Sequence, residues 1–289
     1  MNELKIKDLN FIYKNKNALN NINLTLNNGL TALLGPNGAG KSTLMKLLVT
    51  LFEANKDTIY LNGVEYNENK NMIKTQLSYV PQDFDMYKNI SGIEYLEFVA
   101  KMKNINENNL NDEINKVVVE LDLNDFINKK IGTYSGGVKR RLGIAQAIIG
   151  NPKLIIMDEP TVGLDPKQRN EFRRLLPLLS KDRILLISTH IVEDIQFNCD
   201  KLIVLNKGTI LYDGELDDFM KQTNVYCALI SKKEFDDINE SLDIIDFKQI
   251  ENAIEIKYSS NQPIIEGSTK IPTSLQDAYL YFLNKESIR

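Results

Sequence analysis

The stretch GPNGAGKST at residues 35–43 constrains this chain more than any other. Gly35, Gly40, Lys41 and Ser42 stand at the spacing Gly, four residues, Gly-Lys-Ser/Thr, which folds a strand-to-helix connection around a phosphate chain. The physical need is to hold dense negative charge without obstruction. Glycines let the backbone curl until successive N–H groups point inward. A helix starting near Lys41 adds the positive end of its dipole. Pro36, Asn37, Gly38 and Ala39 complete the loop, Lys41 brings a mobile cation to the β/γ-phosphates, and the hydroxyl of Ser42, followed by Thr43, can ligate Mg²⁺. An apolar run at 30–34 reads as the strand before the loop, and 43–52 as the helix after it. The expected ligand is a nucleoside triphosphate.

The rest of the chain reads as an α/β protein built around that loop. Leu4, Ile6 and Leu9 alternate with polar residues, and a second alternating run at 22–26 passes through Asn27, Asn28 and Gly29, a hairpin signal, toward the loop strand. Tyr13 ends the first run, either as edge packing or as a ring for a base to stack on. Strands are expected at 58–61 and 77–80, then a helical block of about 84–150. One of its helices is marked by Ile93, Leu96, Phe98 and Val99, another by Ile114, Val117, Val118 and Leu121. Gln82 closes the strand before that block. Phe84, Met86 and Tyr87 just beyond it suit a partner surface and core packing equally well.

Ser135, Gly136 and Gly137 open a further helix, as a simple cap or as a second anion site. KLIIMDEP at 153–160 is an apolar strand ending in two carboxylates, which call for a partner unless the strand end is plain surface. Mg²⁺ shared with Ser42 suits Asp158, and a water to be polarised suits Glu159. Asp165 precedes a helix that begins at Pro166. A buried strand at 183–188 leads to His190, the chain's single histidine. By itself a lone histidine is as readily structural.

Composition sets outer bounds. A net charge of −4 and a pI near 5.3 give no general attraction to nucleic acid or anionic lipid, so no nucleic acid is expected as a partner. Cys199 and Cys227 have no metal-like spacing and read as reduced thiols. The N-terminus lacks a signal-peptide core and the apolar runs are too short to cross a bilayer, which predicts a soluble chain.

Taken together, these motifs resemble an ATP-binding cassette (ABC) transporter ATPase, over residues 1 to about 218 and in the order that family keeps. Residues 35–43 resemble its Walker A loop and 154–159 its Walker B strand. Tyr13 stands at its adenine-stacking aromatic, Gln82 at its Q-loop glutamine, and Ser135, Gly136 and Gly137 at the core of its signature. Asp165 matches its D-loop and His190 its switch histidine. The signature is YSGGV where LSGGQ is commoner, and with the LGIAQA that follows it looks like the ATPases of bacterial drug, bacteriocin and antimicrobial-peptide exporters. The implied fold is a P-loop NTPase of ABC type, with an antiparallel β subdomain and a helical subdomain. A small C-terminal mixed β/α appendage at 219–289 ends in an amphipathic helix.

That resemblance implies ATP and Mg²⁺ as cofactors. Lys41, Gln82, Glu159 and His190 are then the catalytic set, with Ser42, Gln82 and Asp158 at the metal. It implies two cassettes sandwiching ATP between the loop of one and the signature of the other. The expected partners are a second ABC ATPase subunit, most simply an identical one, and an integral membrane permease subunit encoded separately. The expected place is cytoplasmic, peripheral on the inner face of the cell membrane. A soluble ABC ATPase serving cofactor or complex assembly is the competing class.

Overall fold

The structure, a computed structural model, describes residues 1–13, 16–82, 86–195, 199–238 and 242–287. It divides into two compact units, Met1–Ile210 and Leu211–Arg289. The division falls inside a strand, whereas the sequence reading puts the change of domain at 218.

The first unit has two sheets. β1 (Glu3–Tyr13), β2 (Lys16–Asn27), β4 (Ile59–Leu61) and β5 (Val64–Glu65) form an antiparallel sheet ordered β2-β1-β4-β5. Its inward residues, Leu4, Ile6, Leu9, Ile22, Leu24 and Leu26, alternate with exposed ones, as one buried face requires. β3 (Gly29–Leu34), β6 (Leu77–Val80), β7 (Leu154–Met157), β8 (Ile184–Thr189), β9 (Lys201–Asn206) and β10 (Thr209–Gly214) make the second sheet, ordered β10-β9-β3-β8-β7-β6. Strands β9, β3, β8, β7 and β6 pair in parallel. Both faces of such a sheet are covered, and its strands are near-continuous apolar runs, LIIM in β7 and ILLIST in β8. One core joins the two sheets to α1 (Lys41–Leu48) through Leu44, Met45, Leu47 and Leu48.

The hairpin expected at Asn27, Asn28 and Gly29 does not form. β2 pairs with β1, while Gly29 already pairs with Ile184 of β8. A single residue, Asn28, separates β2 from β3, and the chain changes sheets there. Gly29 takes φ 124°, and the Leu30 N–H is captured by Asp200 Oδ2 at 2.7 Å. The fully buried β3 takes two parallel neighbours, which outcompete the local turn preference.

After α2 (Lys70–Gln76) and β6 comes the helical block: α3 (Gly92–Met102), α4 (Glu107–Glu120) and α5 (Gly136–Ile148). Ser91 and Glu94 close a capping box at the start of α3. Phe98, counted with the apolar face in the sequence reading, points outward. The buried stripe of α3 is Gly92, Tyr95, Leu96 and Ala100, and a residue two positions from Leu96 falls on the opposite side at 100° per residue. Lys103 ties the block to the sheet. Its ammonium donates to the Ile149 carbonyl and to Ser78 Oγ, both at 2.8 Å, and burial, then Arg183, brings its pKa down to about 8. Phe84 lies outside the described residues. α6 (Pro166–Ser180) follows β7 and precedes β8.

The second unit holds α7 (Leu216–Lys221), β11 (Val225–Ser231), α8 (Lys232–Ile238), β12 (Ile244–Ile250), β13 (Ala253–Ser259), β14 (Thr269–Ile271) and α9 (Leu275–Ser287). Its antiparallel sheet runs β12-β13-β11-β14. Tyr226, Ala228, Ile230, Ile256 and Tyr258 make the core of this unit. The buried Tyr258 hydroxyl donates to Ser268 Oγ (2.8 Å) and accepts from the Ile264 N–H (3.1 Å), so it is satisfied. Among the described residues, no helix is long and apolar enough to cross a membrane.

Candidate functional site

Register places the site. Leu34 pairs with Thr189 and Met157 with Ile187, so the carboxyl ends of β3, β7 and β8 lie side by side. Gly35, Asp158 and His190 each follow one of those ends. In open parallel sheets this is where ligands bind. A cleft of about 360 Å³ opens there, lined by Tyr13, Asn17 and Ala18, by every residue from Pro36 to Thr43, and by Glu159, Lys207 and Gly208.

The loop's glycines are sterically required. A Cβ on Gly35 would lie 2.3 Å from the Leu205 carbonyl oxygen. Gly40 sits at φ 110°, and a Cβ there would meet the Ala18 carbonyl at 2.7 Å. The turn at Lys207 and Gly208 floors the loop: Gly208 N–H donates to the Ala39 carbonyl and Asn20 N–H to the Gly208 carbonyl, each at 2.8 Å. α1 then starts at Lys41, and its first residues, Lys41, Ser42 and Thr43, line the cleft.

Lys41 is 5% exposed. Its ammonium donates to the carbonyls of Gly35 (2.6 Å) and Pro36 (3.2 Å) and stands 3.7 Å from Glu159 Oε1. Burial pulls its pKa below the usual lysine value, and the carboxylates of Glu159 and Asp158 offset part of that shift. His190 Nδ1 lies 3.2 Å from the same Glu159 oxygen. Glu159 thus sits between the loop's cation and the histidine.

Two residues with no motif to announce them hold the carboxylates in place. Ser188 Oγ donates to Asp158 Oδ1 at 2.5 Å and accepts from the Glu159 N–H at 2.9 Å. The Tyr79 hydroxyl also bonds Asp158, and burial, helped by that carboxylate, pushes its pKa up to about 12. Glu159 has φ 43°, a left-handed backbone that a non-glycine keeps only where its surroundings impose it. The turn that follows is closed by the Val162 N–H donating to the Glu159 carbonyl.

Tyr13 lines the cleft at 46% exposure. Its ring stacks on Phe52, with centroids 5.6 Å apart, and Phe52 stacks in turn on Phe11 at 5.4 Å. Ser42 is exposed at the cleft and Gln82 is exposed beyond the end of β6. Ser135, Gly136 and Gly137 are not among the residues lining this cleft. Ser135 caps α5, accepting from the Val138 N–H, and is exposed together with Gly136. Val138, where glutamine is commoner, is buried on the inner side of α5 and so leaves the helix start open. Asp165 caps α6, accepting from the Gln168 N–H at 2.8 Å. The structure therefore gathers the loop, Tyr13, Asp158, Glu159 and His190 at one place, and presents Ser135–Gly137 and Asp165 elsewhere as exposed helix starts. Asn17, Ala18, Lys207, Phe52, Ser188 and Tyr79 were not singled out in the sequence; only Gly208 carries a local signal, a turn glycine.

Fold and site together define a nucleotide-binding ATPase cassette. The family model described as ABC transporter matches residues 19–162. An uncharacterized ABC transporter ATP-binding protein of Bacillus subtilis (strain 168), YxlF, is 34% identical over 80% of this chain and 77% of its own length. The lantibiotic transport ATP-binding protein SrtF of Streptococcus pyogenes is 33% identical over 74% of this chain and 91% of its own. The solved structure of an ATP-binding subunit of an ABC transporter superposes with TM-score 0.67 at 28% identity, covering 76% of this chain and 92% of that one. The chain belongs to the ABC transporter ATP-binding protein family. It is an ATP-binding, ATP-hydrolysing subunit, and such subunits dimerise and work with membrane permeases.

Proposed function

We propose that two copies of this chain close on ATP and drive a separately encoded membrane permease in the direction of export. The observation that carries this reading is the half-built cleft. It is walled by one phosphate loop and Glu159, while a second phosphate-competent helix start, at Ser135, stands exposed outside it. A triphosphate bound to the loop has room for another chain's Ser135, Gly136 and Gly137 on its open side, so the ligand joins the two surfaces. Residues 1–218 form the ATPase domain on this reading and 219–289 the appendage.

Within each site the stacked Tyr13 takes the adenine, the 35–43 loop wraps the phosphates, and Lys41 leaves its carbonyl partners for the β/γ-phosphates. The Ser42 hydroxyl and Asp158 carboxylate are hard oxygen donors suited to Mg²⁺, with phosphate oxygens and water completing its shell. No cluster of three or more His, Cys, Asp or Glu occurs among the described residues to suggest another metal. When bound, Mg²⁺ neutralises charge that develops on the phosphates. Glu159 accepts a proton from the attacking water, His190 donates to the γ-phosphate, and Gln82 couples the site to the helical block. Asp165 meets the opposite chain.

Complementation between two inactive variants tests the dimer. Ser135→Arg should block the signature and Lys41→Ala the loop, so neither hydrolyses ATP alone. Mixed, they form heterodimers with one intact site each and recover part of the activity. A mixture as inactive as its components would sink the shared-site reading.

Export rests on the YSGGV signature with LGIAQA and on likeness to the lantibiotic transport protein. The permease is expected on the exposed face formed by Tyr87 (66% exposed) and Phe98 (49%), which meet edge to face at 6.5 Å. On this reading the chain works at the inner membrane surface. Tyr87→Glu with Phe98→Glu should abolish co-purification with the membrane subunit from detergent extracts while leaving the Kd for ATP unchanged. Undiminished co-purification would place the contact elsewhere.

A further inference from the structure

Behind the catalytic groups lies a buried polar cluster that none of the roles above uses. The Asp194 side chain is 2% exposed. Three donors converge on it. The Thr161 hydroxyl bonds Oδ2, Arg173 Nη2 donates to Oδ1 at 2.9 Å, and the Thr189 hydroxyl is shared between Oδ2 at 3.4 Å and the Ile191 carbonyl at 3.3 Å. Thr189 Oγ1 in turn accepts from the Ile191 N–H at 2.9 Å.

Each donor comes from a segment that carries a different site residue. Thr161 is two residues past Glu159 in the turn after β7. Thr189 is the last residue of β8, directly before His190. Arg173 lies on α6, the helix that Asp165 caps. A charged carboxylate in such surroundings persists only when it is fully bonded, so these three segments are held to one another through it.

We infer that Asp194 is a positioning residue for ATP hydrolysis, fixing the His190 strand end, the Glu159 turn and the Asp165 helix in one catalytic arrangement. Its side chain does not line the nucleotide cleft. The inference rests on the ATPase roles proposed for Glu159 and His190. Its distinguishing property is selectivity. The phosphate loop is bonded by Gly208 and packed against the Leu205 and Ala18 carbonyls, none of which belongs to this cluster, so loosening Asp194 misplaces the reacting groups and leaves nucleotide binding intact. A displacement near 1 Å at reacting groups costs on the order of 100-fold in rate.

The test measures kcat by phosphate release and the Kd for MgATP on the full chain. Asp194→Asn keeps the size, removes the charge that holds Arg173, and should lower kcat by roughly 10- to 100-fold with Kd within about 3-fold. In a double-mutant cycle with His190→Ala, the second change should add less than it costs alone, because holding His190 is part of what Asp194 does. If Asp194→Asn fails to fold, Thr161→Val removes one donor and keeps the Arg173 pair. That variant should lose about 3- to 10-fold in kcat at unchanged Kd. Losses of kcat and affinity in equal proportion, full additivity with His190→Ala, or unchanged kcat in the folded variants would each overturn the inference. If instead His190→Ala and Glu159→Gln themselves leave kcat at the wild-type value, the underlying assignment of the site fails.

Discussion

Glu159→Gln is expected to nearly abolish steady-state ATP hydrolysis while preserving ATP binding. Glutamine keeps the length and planarity of the side chain. It fits the left-handed backbone at φ 43° no worse than glutamate, and the N–H bond to Ser188 Oγ is untouched. What it removes is a carboxylate oxygen 3.7 Å from Lys41 and 3.2 Å from His190, the group positioned to accept a proton from water. Loss of a general base costs roughly 10²- to 10⁴-fold, or on the order of 3–5 kcal/mol of barrier. Affinity should be equal to or tighter than wild type, because one negative charge facing the triphosphate is gone. With hydrolysis stalled, ATP should hold the chain as a dimer. Phosphate release in the steady state and light scattering of the ATP-incubated variant read both consequences. Unaltered turnover would remove Glu159 from the base role. Loss of turnover without ATP-stabilised dimers would keep the base and reject the sandwich.

The contrast between Glu159 and Ser188 shows what was legible in the sequence. Glu159 is announced by its place after an apolar strand and downstream of a phosphate loop. Ser188, which anchors both Asp158 and Glu159, is only a serine in an apolar strand. Its role follows from the register of β8 against β7, which pairs Met157 with Ile187, and pairing between distant segments leaves no local period. Asp194, Tyr79 and Phe52 are hidden for the same reason. The α/β class and the helical block followed from apolar runs, alternation and helix-start chemistry, each of which is local, whereas the antiparallel β subdomain was implied by the family resemblance. Ser135 and Asp165 fall between these cases. Both stand at helix starts as expected, and both are satisfied as caps, so a single chain displays only their structural work.

Errors arose where a local signal met a stronger tertiary demand. Asn27, Asn28 and Gly29 carry turn chemistry, yet the buried β3 takes its neighbours from β8 and β9. Phe98 matched a count of apolar residues along a helix but not the stripe that α3 buries. In the second unit Tyr226, Ile230, Ile256 and Tyr258 form the core on one face of β11 and β13. β14, with three residues TKI and little burial, has no pattern to detect; it exists because β11 offers an open edge.

Lys41→Ala should remove most nucleotide affinity without weakening the fold. The ammonium is the cation at the base of a loop otherwise made of neutral N–H groups. A charge-assisted hydrogen bond to phosphate contributes about 1.5–3 kcal/mol, so the Kd for ATP should rise on the order of 10- to 100-fold. The substitution also leaves Asp158 and Glu159 as carboxylates facing the phosphates with no lysine between them, which acts in the same direction. Stability responds differently. Burial is the largest influence on the Lys41 pKa and lowers it below the unfolded value near 10.5. The unfolded chain therefore binds this proton more tightly. Holding the ammonium costs stability at all pH values below the folded pKa, and that cost is relieved only as pH rises from the folded pKa toward 10.5. At neutral pH relief of that cost offsets the loss of the bonds to the Gly35 and Pro36 carbonyls, so the alanine variant should unfold without nucleotide near the wild-type Tm. MgATP at 100 times the wild-type Kd should raise the wild-type Tm, since it adds about 2.7 kcal/mol, and should move the variant less, by about 0.4–1.4 kcal/mol, because its Kd is 10- to 100-fold higher. Thermal unfolding with and without MgATP separates the outcomes. A nucleotide-dependent rise of wild-type size in the variant would count against the phosphate-loop assignment, and a lower Tm in both conditions would make Lys41 a structural residue first.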